Sequence, residues 1–200
     1  GRPMRRQAPA AARNRQPILD VLRPRLPARG LVLEIASGSG EHIVHFAEAL
    51  PGLVFQPTDP NADARASIDD WVGTRGLGNV RAALALDTTA GIWPTDGADA
   101  VLCCNMIHIA PWEAAVGLIA GASHMLSSGG MLYLYGPYRR DGAHTAPGNE
   151  AFDLDLRRRN PAWGVRDLEA VTALAGDRGF GAPEIIDMPA NNLSLVFKRT

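Results

Sequence analysis

Lysine is nearly absent from this chain: Lys198 is the only one among 20 basic residues. Aromatic residues are sparse at 6%, and they do not interleave with the arginines. That combination disfavours nucleic acid as a partner, which calls for a continuous basic face with stacking platforms. Cysteine is limited to the adjacent pair Cys103 and Cys104. Successive strand side chains point to opposite faces, so this pair suits neither a mutual disulfide nor a shared metal. The two read as small buried hydrophobes in a reducing compartment, and the cytoplasm is the expectation. No apolar run approaches the roughly 20 residues that span a bilayer, and no secretory apolar core follows the N-terminal arginines. Neither a G-x-x-x-x-G-K-[ST] phosphate loop nor a G-x-S-x-G nucleophile elbow occurs, which removes two enzyme classes. His42 and His45 stand three apart without a third evident ligand, so no metal is expected.

What remains is ordinary globular composition: 200 residues, 46% hydrophobic, net charge −1. Eight arginines fall between Arg2 and Arg29 against a single acid, Asp20. Residues 1–12 lack apolar periodicity and are expected to form a flexible arm, with one domain over 13–200. Pro17 is well placed to open a short helix carrying Ile18, Leu19, Val21 and Leu22. Strand-like runs at 31–36, 53–59, 79–87, 99–105 and 131–135 alternate with helical patterns near 41–50, 62–73 and 112–126. This alternation predicts a doubly wound α/β fold with a mostly parallel sheet. After a helix near 166–178, runs at 183–187 and 193–198 predict an antiparallel hairpin.

The most informative segment is Leu31-Val32-Leu33-Glu34-Ile35-Ala36-Ser37-Gly38-Ser39-Gly40-Glu41-His42. β-formers end in a carboxylate, pass through a small-residue loop and open a helix, whose N-terminal N–H groups suit an anionic or polar ligand group. Gly38 and Gly40 allow a ligand close to the main chain. The dinucleotide fingerprint G-x-G-x-x-G, counted from Gly38, needs a third glycine where Ile43 stands. Asp59 ends the second strand 19 residues after Gly40, near the offset of an acid that binds ribose hydroxyls; an Asx turn with Pro60 is the alternative. Asp87 ends the third strand, where a carboxylate can accept from an adenine amino group.

Glu34-x-Ala36-x-Gly38-x-Gly40 resembles E-x-G-x-G-x-G, the first motif of class I S-adenosylmethionine-dependent methyltransferases, with Ala36 in place of the first glycine. Glu34, Gly38, Gly40, Asp59, Asp87 and Asn105 together resemble that family over about 30–137. Three segments look closer still to the methyltransferase-like twenty-six family: Ala12–Leu19, Ala36–His42 and Asn105-Met106-Ile107-His108-Ile109. Tyr135-Gly136-Pro137-Tyr138 and Asn191–Leu195 agree with it. The resemblance implies a Rossmann-like, seven-stranded sheet and S-adenosyl-L-methionine as cofactor. It implies that Asn105 and Met106 hold the amino-acid part of the ligand or its surroundings. Ala36, Ser37, Pro60 and Thr88 would line the same site, and Glu34 would hold the glycine loop through its N–H groups. Arg13 and Asn14 would close it from the N-terminal side.

Methyl transfer asks the protein to position a nucleophile and, where needed, remove its proton. His108 is the expected general base, and Tyr138 is expected to close the site or orient the acceptor. Asn105-Met106-Ile107-His108 departs from the Asp/Asn-Pro-Pro-aromatic motif that resembles base- and glutamine-directed methyltransferases. A small-molecule oxygen, sulfur or nitrogen acceptor is therefore expected. The long connection 138–166 is expected to be its lid. A nicotinamide-dependent oxidoreductase and a non-catalytic cofactor-binding module are the alternatives; oligomeric state is not legible.

Overall fold

A computed structural model of the chain describes residues 9–200. Its first half alternates helix and strand: α1 (Pro9–Leu22), β1 (Gly30–Ile35), α2 (Glu41–Ala49), β2 (Leu53–Pro57), α3 (Ala62–Arg75), β3 (Ala98–Cys104), α4 (Trp112–Met125) and β4 (Leu126–Gly136). A smaller unit follows, with β5 (Tyr138–Arg140), β6 (Ala143–His144), α5 (Pro147–Arg159) and β7 (Arg166–Asp167). Helix α6 (Leu168–Gly176) then leads to β8 (Glu184–Met188) and β9 (Asn192–Lys198). The main sheet runs β2-β1-β3-β4-β9-β8, and the small one β6-β5-β7. Strands β1 to β4 are parallel, while β9 is antiparallel to β4 and to β8. This is the Rossmann-like architecture that the strand–helix alternation and late hairpin predict.

Both faces of the sheet are covered, which explains why its strands read as continuous apolar runs. Leu33, Ile35, Val101, Cys103, Leu132 and Leu134 pack on one side against α4 and α6 residues such as Leu118 and Val171. Val32, Ala100, Leu102, Met131, Tyr133 and Tyr135 pack on the other against Ile18, Ile43, Phe46 and Ile68. Cys103 and Cys104 take opposite faces accordingly.

The sheet has six strands rather than seven. Segment 79–87 lies beside β2 but joins it only through bridges at Phe55–Val80 and Thr58–Leu84. Phe55 N–H donates to Asn79 and Asp59 N–H to Leu84, but Pro57 between them has no N–H to give. The Gln56 amide donates to the Ala82 carbonyl instead, and the Asp69 carboxylate accepts from Ala83 N–H. Side chains thus intercept groups that a ladder would have used.

Helix α1 begins at Pro9, eight residues before the expected start, and Pro17 lies inside it. Its opening residues Ala10, Ala11 and Ala12 favour helix by propensity but show no apolar stripe. The rest of the expected arm, residues 1–8, lies outside the described residues. Segment 138–166 is an ordered ββα unit rather than an open loop. Asp153 pins it: its carboxylate is buried and accepts from Val165 N–H (2.9 Å) and Arg157 Nε (3.1 Å), with His144 Nε2 at 3.1 Å. Asp155 by contrast is exposed and pairs with Arg159, so the two acids form no acid–base pair.

Candidate functional site

Strand order reverses between β1 and β3, and ligands of open α/β sheets bind at the carboxyl ends flanking such a reversal. The backbone there is left-handed at four points: Ala36 (φ 56°) after β1, Gly38 (φ 59°) and Gly40 (φ 92°) in the loop, and Asn105 (φ 54°) after β3. Left-handed non-glycine residues cost on the order of 1 kcal/mol or more each and cluster at ligand sites. The two glycines serve different purposes. A Cβ on Gly38 would meet nothing within 4 Å, whereas one on Gly40 would lie 3.0 Å from Ile68 Cα. Gly38 leaves open space for a ligand; Gly40 lets α2, which it caps, pack against α3. Ile43, where a dinucleotide fold needs its third glycine, is fully buried in the core.

The loop is tied to β2. Ser37 N–H donates to the Thr58 carbonyl (2.8 Å), and the Thr58 hydroxyl donates to the Glu34 carbonyl (2.8 Å). Asp59 Oδ2 accepts from Gly38 N–H at 3.0 Å, and its Oδ1 accepts from Asn61 N–H at 2.9 Å. Both readings of Asp59 therefore meet in one side chain: it makes an Asx turn and also holds the glycine loop. Glu34 holds the loop through the Ser37 side chain rather than through the expected N–H groups. Its carboxyl is 2% exposed, bonds Ser37, and leaves Oε1 with no partner. Burial, with Asp59 nearby adding to it, raises its pKa to about 7.

A cavity of about 310 Å³ opens beside this loop. It is lined by Ile35, Ala36 and Pro60, by Leu86, Asp87, Thr88 and Thr89, and by Met106, Ile109, Ala110, Pro111 and Ala114, with Trp163 on its margin. Five expected contacts, Ala36, Pro60, Asp87, Thr88 and Met106, thus meet in one place. Asp87 is exposed; Oδ1 accepts from Thr89 N–H and hydroxyl at 2.9 and 2.7 Å, which lowers its pKa. The Thr88 hydroxyl donates to the Ala114 carbonyl, and a Cβ on Gly117 of α4 would strike the Thr88 carbonyl. That glycine, together with Leu86 and Ala114, escaped sequence reasoning, whereas Trp163 belongs to the segment expected to cover the site. No short motif marks them, because each reaches the cavity through tertiary packing.

The remaining expected residues are placed differently. Asn105 donates its N–H to the Tyr135 carbonyl, and its Oδ1 lies near Gly136, beside the His108 ring. His108 is 2% exposed and packs edge-on to Phe152 of α5. Burial, then the charge of Arg166, lowers its pKa to about 4. It is therefore a neutral imidazole and a weak base, which corrects the expectation of a base tuned near neutrality. Tyr138 is also displaced from its expected role: it is buried in the core with Leu168 and Val171, and burial raises its hydroxyl pKa. Arg13 is exposed. Asn14 bridges elements instead, with Oδ1 2.6 Å from His42 Nε2 and a hydrogen bond to Tyr135, whose hydroxyl also accepts from Asn192 Nδ2 (3.1 Å). The β5–β7 unit sits over the β3–α4 loop. Gly164 N–H donates to the His108 carbonyl, and Arg166 donates to the Ile107 and Ala110 carbonyls.

A family model described as "Protein of unknown function (DUF938)" matches residues 5–199. The chain belongs to the DUF938 family. Among solved structures, an O-methyltransferase family protein from Burkholderia thailandensis superposes with a TM-score of 0.81 at 20% identity, over 96% of this chain and 57% of that one. An O-methyltransferase family 2 protein from Planctomyces limnophilus, in complex with apigenin, gives 0.76 at 17% identity over 94% and 61%. Human N-acetylserotonin methyltransferase, in complex with SAM, gives 0.76 at 12% identity over 95% and 52%. These likenesses establish the methyltransferase fold for this DUF938 chain, which spans a little over half the length of the structures it matches. Among its described residues, no helix is long and apolar enough to cross a membrane.

Proposed function

We propose that this DUF938 protein transfers the methyl group of S-adenosylmethionine to a small-molecule oxygen, sulfur or nitrogen acceptor. The observation that carries this reading is the cavity at the β1–β3 reversal, where Ala36, Pro60, Asp87, Thr88 and Met106 converge beside the Asp59-held glycine loop. The residues fit the cofactor: Gly38 leaves open space at the loop, and Glu34 presents a buried oxygen without a partner. Asp59 is the ribose acceptor in this assignment, since each carboxylate oxygen keeps a second lone pair beyond its backbone bond. Asp87 takes the adenine amino group, and Asn105 with Met106 borders the amino-acid portion. Ser37 completes the surround. When bound, the cofactor supplies a methyl group already activated by its sulfonium.

The chain's own work is then orientation and water exclusion. In this reading the unit 138–166 is the lid, resting on the loop that bears Asn105 and His108. His108, buried beneath that unit and neutral, supplies no strong base, so acceptors that ionise readily are favoured. The motif kinship to the methyltransferase-like twenty-six family, in Asn105–Ile109 and Asn191–Leu195, belongs to this proposal, as does a cytoplasmic setting. Incubation with methyl-labelled cofactor and a panel of phenols, thiols and amines tests it. Label should move to one acceptor class in wild type and not in Asp59→Ala. Absence of transfer across the panel despite cofactor binding would favour a non-catalytic binding module.

A further inference from the structure

Another cavity, of about 290 Å³, lies between the start of α4, the β5–β7 unit and α6. Its walls are Trp112, Arg139, Arg157, Val165, Arg166, Asp167 and Ala170. Three arginines from three elements, β5, α5 and β7, thus line one small space whose walls include a single acid, Asp167. Arg166 is fixed by main-chain carbonyls of Ile107, Ala110 and Ala162, and among the described residues no carboxylate forms an ion pair with it. Asp153 and Glu113 act on it only at longer range, while Arg157 repels it. Arg157 gives its Nε–H to Asp153, whose carboxylate is already shared with Val165 and His144. Arg139 donates from Nη2 to the Gly142 carbonyl, and its buried Nε faces Asp167 Oδ1 at 3.4 Å without forming a hydrogen bond. Crowded like charges and an unmet buried donor cost free energy unless something of opposite sign completes them.

We propose that this cavity is a binding site for a phosphate group, free or as a small phosphomonoester, distinct from the cofactor cavity. Arginines from three separate elements around one space suit a tetrahedral oxyanion with several acceptor oxygens better than a planar carboxylate. The Trp112 ring, over which Arg166 lies at 5.6 Å, and Val165 give an apolar wall for the carbon part of an ester. The size suits a small metabolite. The site is connected to the first one: Arg166, which lines this cavity, also holds the carbonyls of Ile107 and Ala110, the latter a residue lining the cofactor cavity.

Calorimetric titration of the cofactor-free protein tests the assignment without assuming any methyl transfer. The probes are inorganic phosphate, methyl phosphate and acetate, at ionic strength held constant with sodium chloride. Saturable 1:1 binding of both phosphates, tighter for the ester and absent for acetate, is expected. Arg139→Gln should weaken it about tenfold or more, the scale of a lost charged hydrogen bond. Arg140→Gln, one residue along β5 and outside the cavity wall, should not change it. Arg139→Lys keeps the charge near Asp167 but removes the fork; it should fall between the two and covers the case in which Arg139→Gln does not fold. Phosphate binding that is no better than chloride, or equal in wild type and the Arg139 variants, overturns the site; tighter acetate binding overturns the phosphate assignment.

Discussion

Replacing Glu34 with glutamine probes the floor of the site and yields a signed, pH-dependent effect. Folding raises the Glu34 pKa from 4.5 to about 7, chiefly because its carboxylate loses solvent. A raised carboxyl pKa means the folded protein binds the proton more tightly than the unfolded chain does. Its contribution therefore favours folding at low pH and is lost as pH rises through about 7. Between pH 5 and pH 8 the lost stabilisation is about 2.5 kcal/mol, taking 1.36 kcal/mol per decade of proton affinity. His42 and His108, both lowered to about 4 by burial, act with the opposite sign, since stability rises with pH from about 4 to 6.5. They are shared by wild type and variant, so the difference isolates Glu34. Urea unfolding at both pH values should show Glu34→Gln gaining about 2.5 kcal/mol relative to wild type at pH 8 compared with pH 5. In thermal melts this corresponds to a relative shift of about 5–10 °C for a chain of this size. The same offset at both pH values, within about 0.5 kcal/mol, would refute the buried, poorly solvated carboxylate.

Other perturbations address the loop and its supports. Asp59→Ala removes the acceptor for Gly38 N–H and should weaken cofactor binding by about 1–3 kcal/mol by calorimetry; unchanged affinity would dismiss Asp59 from the ribose role. Gly40→Ala places a Cβ 3.0 Å from the Ile68 backbone at φ 92° and should cost about 1–3 kcal/mol in urea unfolding, with a neutral result counting against the packing role. Gly117→Ala should displace Thr88 and weaken cofactor binding from a position on α4 that does not line the cavity, so full affinity would disconnect Gly117 from it. Because His108 is already neutral above about pH 4, the kcat profile should show no inflection near pH 6.5 that His108→Gln abolishes; such an inflection would restore it as a titrating base.

Legibility followed the physics of each residue. The strands β1, β3 and β4 stood out because burial on both faces makes their sequences continuously apolar, and the glycine loop because its backbone is left-handed at Ala36 and Gly38. Ala36 at φ 56° shows why the related motif has glycine there. The missing seventh strand was legible only in part: Pro57 was visible in the sequence, but the role of Gln56 and Asp69 depended on which carbonyl and N–H lay opposite them. Tyr138 and His108 misled for one reason. Position after a strand indicates which rim a residue occupies, not whether an added unit such as β5–β7 covers it. Apart from Arg157 and Ala162, each four residues away, the partners that pin that unit through Asp153 and Arg166 are distant in sequence, so no local pattern announced it.

The most direct test of the account is calorimetry of the purified protein with S-adenosylhomocysteine and, in parallel, NADH. Saturable 1:1 binding of the sulfur nucleoside, lost or weakened in Asp59→Ala, with no heat from NADH, is the outcome expected. Binding of NADH, or of neither compound, would contradict the central claim that the cavity at the β1–β3 reversal receives an adenosyl sulfonium.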